Sequence, residues 1–149
     1  SNLFPYTTLF RSAAMARKPS THPTDAELEI LRVLWDAGPL PLGEICSAVR
    51  RERAAATTTI ATILGVMLNK GYVRRREGPK GYLWSAALKR QATASKAIRK
   101  VVDFVFDGSA GQLVAHLIDN DELSDTDINK IRAMLEEYES RADKRDKSS

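Results

Sequence analysis

A mainly α chain carrying one small β hairpin is what this sequence of 149 residues predicts. Three observations carry that expectation. Apolar residues recur at helical spacing in three segments between residues 25 and 70. Two short strand-like runs then flank a Gly/Pro turn, and beyond residue 90 the helical spacing returns. The expected order is helix, helix, helix, hairpin, then a helical rear region.

The first helix opens at Thr24-Asp25-Ala26-Glu27, the spacing of a capping box. In that motif the hydroxyl accepts one orphan N–H and the carboxylate reaches back to another. Through AELEILRVLW, Leu28, Leu31 and Trp35 fall at i, i+3 and i+7 with Ile30 and Leu34 beside them, and Gly38-Pro39 ends the segment. The PLPL run that follows is too brief for a free strand, but it can pair at the edge of a small sheet. A second helix is read from Leu42 to about Arg51, with Ile45 and Val49 four apart.

The third helix is read from Thr57 to Lys70, with a stop at Asn69-Lys70-Gly71. A helical wheel gathers Ile60, Ile63, Leu64, Met67 and Leu68 on a core face. Opposite them lie Thr58, Thr62, Gly65 and Asn69, flanked by Val66. Tyr72 to Arg76 and Tyr82 to Trp84, around a Glu77–Gly81 turn, read as the hairpin. Trp35 and Trp84 are expected in the core, uniting the first helix with the hairpin.

In the rear region Ala94, Ile98, Val101, Val102 and Val105 share one helical face, and the short apolar QLVAHLI follows a Gly108–Gly111 break. Ser124 to Asp127 resembles a cap that leads into Ile128, Ile131, Leu135 and Tyr138, a narrow seam suited to pairing with another helix. About 50 residues with three amphipathic helices make a thin independent core, and association with a second copy is the natural remedy.

Charge is divided unevenly along the chain. Residues 17–90 hold 13 Lys/Arg against 7 Asp/Glu, whereas residues 91–149 hold 9 against 12. A basic front half suggests a polyanionic partner there. Cys46 is the single cysteine, which excludes an internal disulfide framework and fits a reducing cytoplasm. With only His22 and His116 beside it, a thiolate or imidazole metal cluster is not expected, nor is any cofactor. No apolar run approaches bilayer length, so no membrane partner is expected. No Ser/His/Asp or paired-carboxylate arrangement stands out, which argues against an enzyme.

Three helices followed by a hairpin is the order of a winged helix-turn-helix, whose last helix enters the major groove while the wing touches flanking backbone. Thr57, Thr58, Thr59 and Thr62 then suit phosphates and base edges. Arg74, Arg76 and Lys80 suit flanking phosphates, while strand alternation turns Arg75 the other way. Plainer roles stay open: threonines serve as caps, and arginines guard a sheet edge.

DAELEILRVLW (25–35), the A-x-T-T-I-x-T-I-L stretch (56–64), L-x-K-G-Y-V (68–73) and LSDTDINKIRAMLEE (123–137) resemble the penicillinase-repressor (BlaI/MecI/CopY) family. The resemblance implies an N-terminal winged helix over residues 15–88 and a helical dimerisation region over 89–141, while the polar ADKRDKSS run itself reads as a disordered tail over 142–149. It further implies a homodimeric, sequence-specific repressor of double-stranded operator DNA in a bacterial cytoplasm, controlling β-lactam resistance or another stress response. Ile98, Val101, Val102, Val105, Leu113, Leu117, Ile128, Ile131 and Leu135 are the expected dimerisation residues. Where staphylococcal members are cut by a sensor protease, this chain has His116 and Leu117. Where members commonly carry Arg it has Val66, and it lacks the cysteine-rich tail of the copper-responsive branch. Alternative readings are a protein-interaction winged helix and a MarR-like regulator gated by a small ligand. Residues 3–12, LFPYTTLFRS, resemble a translated sequencing adapter, so residues 1–14 are expected to be a non-native leader ahead of Met15.

Overall fold

A computed structural model describes residues 22–50 and 56–148. The adapter-like leader and the start expected at Met15 lie outside the described residues. The chain divides into two compact units at Ala97/Ile98.

In the first unit, α1 (Asp25–Ala37) is followed by β1 (Leu40–Pro41), α2 (Leu42–Arg50) and α3 (Thr57–Lys70). The hairpin strands are β2 (Val73–Gly78) and β3 (Gly81–Ala86). The capping box forms as its spacing predicts: Glu27 N–H donates to Thr24 Oγ1 at 3.2 Å, and Thr24 N–H donates to Glu27 Oε1 at 2.9 Å. Gly38 ends α1 with its N–H on the Leu34 carbonyl, and a Cβ there would sit 2.7 Å from that same oxygen. Only glycine fits so close a turn. Leu40 and Pro41 pair with Trp84 and Leu83, so PLPL does become an edge strand, in the order β1-β3-β2.

Gly71 stops α3 in the left-handed region at φ 78°, and Tyr72 N–H reaches back to the Met67 carbonyl at 2.9 Å. The chain passes directly from that stop into β2. Gly78 pairs with Gly81 (φ 110°) across the two-residue Pro79-Lys80 turn, so the strands run slightly longer than their composition suggests. The core joins Ile30, Leu31 and Leu34 of α1 to Ile45, Cys46 and Val49 of α2. Ile60, Leu64 and Met67 of α3 and Tyr72, Val73 and Trp84 of the hairpin complete it. Trp84 is buried as expected. Trp35 is only half-buried, and its Nε1–H donates to the Leu88 carbonyl at 2.8 Å, so it binds the segment after the hairpin.

α4 (Arg90–Val105) starts in the first unit and continues into the second, which also holds α5 (Ala110–Asp119) and α6 (Asp125–Lys147). Ser109 and Ser124 cap α5 and α6 through their hydroxyls. α6 runs on to Lys147, so the tail expected from residue 142 is helical, although exposed. Lys144, Arg145 and Lys147 in its last turn complement the helix dipole, which explains the extension. Among the described residues no single helix is long and apolar enough to cross a membrane.

Candidate nucleic-acid interface

The third helix has an unusual start. α1 and α6 each carry a capping box and two acidic residues in the first turn, whereas the N-cap of α3 is Ala56, which offers no side-chain cap. No acidic residue follows in its first turn. No acidic residue of that first turn offsets the positive end of the helix dipole, a condition that favours an anion. Thr57, Thr58 and Thr59 are all exposed there.

Along α3 the faces separate as the wheel predicts. Ile60, Leu64 and Met67 are buried, with Ile63 and Leu68 half-buried beside them. Ala61, Thr62, Val66 and Asn69 are exposed on the far side, Val66 by 45%. A Cβ on Gly65 would meet nothing within 4 Å. Thr62 Oγ1 donates to the Thr58 carbonyl at 2.8 Å, so its proton is committed to its own helix. What Thr62 offers outward is a methyl group and oxygen lone pairs, which suit a base edge better than a phosphate oxygen.

The wing divides its arginines by strand alternation. Arg74 faces Ser85 and Arg76 faces Leu83 across the ladder, while Arg75 faces Trp84. The Arg75 guanidinium lies 4.1 Å over the Tyr82 ring centroid and 5.6 Å from that of Trp84. Those two rings meet edge to face at 6.3 Å, so Arg75 is held by aromatic faces. Arg74, Arg76 and Lys80 are exposed and make no ion pair with any described residue. They remain available to an outside anion.

What holds α3 beneath this surface is a contact between residues 43 positions apart. Lys70 Nζ donates to Glu27 Oε1 and Oε2 at 3.1 and 3.0 Å, and Glu27 is only 2% exposed. Burial alone raises the Glu27 carboxyl. Hydrogen bonds from Thr24 and Lys70, with the ammonium charge, outweigh it and hold the group below its ordinary value. The same ammonium lies 5.4 Å from the centroid of the Tyr72 ring. The Tyr72 hydroxyl is buried without a hydrogen-bond partner, and its desolvation pushes that group up. Local sequence patterning reads Glu27 only as the closing half of a capping box. Its second role carries no local signal.

At the other end of α1, Arg90 pairs with Asp36 and lies 5.5 Å from the centroid of the Trp35 ring. With the Trp35–Leu88 hydrogen bond, this fastens the start of α4 to α1.

The second unit presents apolar side chains to solvent. Ile98, Val101, Val105 and Leu135 are exposed, and Leu113, Leu117, Ile128 and Ile131 are half-buried. Val102 differs from expectation: at 1% exposure it is covered within the chain and does not present itself to a second copy. Phe104, Val114, Ile118, Met134 and Tyr138 add exposed apolar area that the heptad-like seam reads only at Tyr138. His116 and Leu117 lie inside α5. The His116 carbonyl accepts from Asn120 N–H at 3.1 Å, and its ring meets Phe106 edge to face at 5.5 Å. Cleavage of that bond requires α5 to unwind, because proteases bind extended backbone.

Comparison with known proteins adds an independent finding. The profile of the family described as penicillinase repressor matches residues 23–137. The penicillinase repressor of Bacillus licheniformis is 22% identical over 79% of this chain and 92% of its own length. That of Staphylococcus aureus is 21% identical over 74% and 87%. The methicillin resistance regulatory protein MecI of Mammaliicoccus sciuri is 20% identical over 75% and 91%.

Proposed function

This chain is a member of the penicillinase repressor family, and from that premise we propose that it acts as a homodimeric repressor on a near-palindromic DNA operator. The observations that carry the DNA reading lie in one unit: a threonine-rich start of α3 without a side-chain cap from Ala56, and the exposed cations Arg74, Arg76 and Lys80, which pair with no described residue. In this reading α3 occupies the major groove and the wing holds flanking phosphates. Arg75, stacked on Tyr82 and Trp84, stiffens the wing.

Support for the dimer comes from the second unit. Among the described residues Val102 is its one fully buried apolar side chain, whereas Ile98, Phe104, Val105, Met134 and Leu135 are each more than half exposed. A unit with so little interior gains stability by covering that area with a second copy. Two-fold symmetry then sets the half-sites about one helical turn apart, roughly 34–36 Å. The curated relatives named as penicillinase and methicillin-resistance regulators support β-lactam resistance as the regulated response. The helical setting of His116–Leu117 supports a switch other than direct cleavage of that bond.

Mobility-shift titration against the DNA upstream of the protein's own gene tests this reading. A complex with two-fold-symmetric footprints and a steep loss of affinity with salt is expected. Binding that ignores sequence and palindromy at moderate salt would overturn the operator claim, and retention by an acidic protein instead would favour the interaction-module alternative.

A further inference from the structure

Val66 stands out on the exposed side of α3. It is an apolar, β-branched residue exposed by 45%, on a face otherwise made of threonine, glycine, alanine and asparagine. A β-branched side chain slightly disfavours the helix. Left in water, its apolar surface gains nothing for the fold. One turn earlier on the same face, Thr62 has its hydroxyl proton on the Thr58 carbonyl, so its methyl group is free to make an apolar contact. Beside both, the Cβ direction of Gly65 is open for 4 Å, which lets another surface approach closely.

The surroundings decide what that surface is. No acidic residue stands in the first turn of α3, and Arg74, Arg76 and Lys80 follow it without an ion pair to any described residue, so the charge complement is a polyanion. Guanine is most often read by Arg or Lys reaching O6 and N7. The only cation on α3 is Lys70, whose ammonium is already bound by both Glu27 oxygens. The helix thus has no free cation for guanine. It has two adjacent apolar groups for the one base that presents a methyl in the major groove.

We propose that Val66 and Thr62 are specificity-determining residues that recognise thymine by its C5 methyl, so that the operator half-site is read chiefly at A·T pairs. This rests on the DNA-binding reading above. The apolar pair covers one or two thymine methyls per half-site, and the wing supplies affinity that is indifferent to sequence.

Deoxyuridine differs from thymidine by that methyl alone, which makes it the probe. Sequences are selected by the full chain from a random-sequence duplex library, and each thymine of the enriched duplex is then replaced singly by uracil. Loss of one buried methyl predicts about fourfold weaker binding at one or two positions in each half-site. Val66→Ala should abolish the uracil penalty at one position and Thr62→Ser at its neighbour, and both side chains are exposed, so the fold survives. Uracil tolerated at every position, or a penalty unchanged in both variants, would overturn the proposal while leaving DNA binding intact. A library that yields no enriched sequence would overturn the DNA-binding reading and this one with it.

Discussion

Glu27→Gln removes one charge from beneath α3 and nothing else of similar size. Glutamine retains an oxygen to accept the Thr24 N–H, but it faces the Lys70 ammonium with a neutral amide. The wild-type carboxylate is 3% exposed at its side chain and the lysine 29%, so the pair is screened on one side only. Removing one partner of a fully buried pair costs about 3–5 kcal/mol, and partial access of Lys70 to water reduces this to about 2–3 kcal/mol. For a domain of this size that is a fall in Tm of about 10–20 °C. The pH dependence gives the sharper test. Because the folded carboxyl is held below its ordinary value of 4.5, its stabilisation is fully present above that value. It is lost as pH falls through the lower folded value. Urea unfolding of wild type and Glu27→Gln should therefore differ most near neutral pH and converge in acid well below 4.5. A stability difference that persists undiminished in acid would refute the ion-pair argument and point to packing.

Other outcomes follow from the same geometry. Alanine at Arg74, Arg76 or Lys80 should weaken DNA binding and reduce the slope of log affinity against log salt by about 0.9 for each phosphate no longer neutralised; an unchanged slope would place that residue off the DNA. Val66→Arg should raise overall affinity and steepen the salt dependence while erasing the uracil penalty at the Val66 position only, because Val66 is exposed by 45%. Weaker binding with a lowered Tm would mean that the residue supports the core. Leu135→Glu places a charge on an exposed apolar seam of α6 and should shift the chain to monomer in analytical ultracentrifugation without loss of helicity. An unchanged mass would move the interface elsewhere.

Much of the first unit is legible in local pattern. The capping box at Thr24, the αL stop at Gly71 and the core face of α3 are each decided by neighbours within one or two turns, where spacing carries the information. The edge pairing of PLPL is legible too, since a short Pro-bearing run has few other places in a sheet. The split of the arginines between two faces follows from the two-residue period of a strand. The rear half is less legible. Apolar periodicity shows which residues share a face, but not whether the chain covers that face itself. Val102 is covered and Ile98, one turn away, is open.

Spacing alone determined the element order, the polar outer stripe of α3 and the charge that accompanies it, because these depend on neighbours along the chain. Tertiary structure alone decided that Lys70 is consumed by Glu27, that Arg75 is held by Tyr82 and Trp84, and that Val102 is covered while Ile98 stays open. Each of these depends on groups brought together from distant or opposing positions, or on what fails to pack against a side chain. The physical reason is common to all three: a residue's chemistry is a property of its type, whereas its availability is set by the partners that folding places beside it.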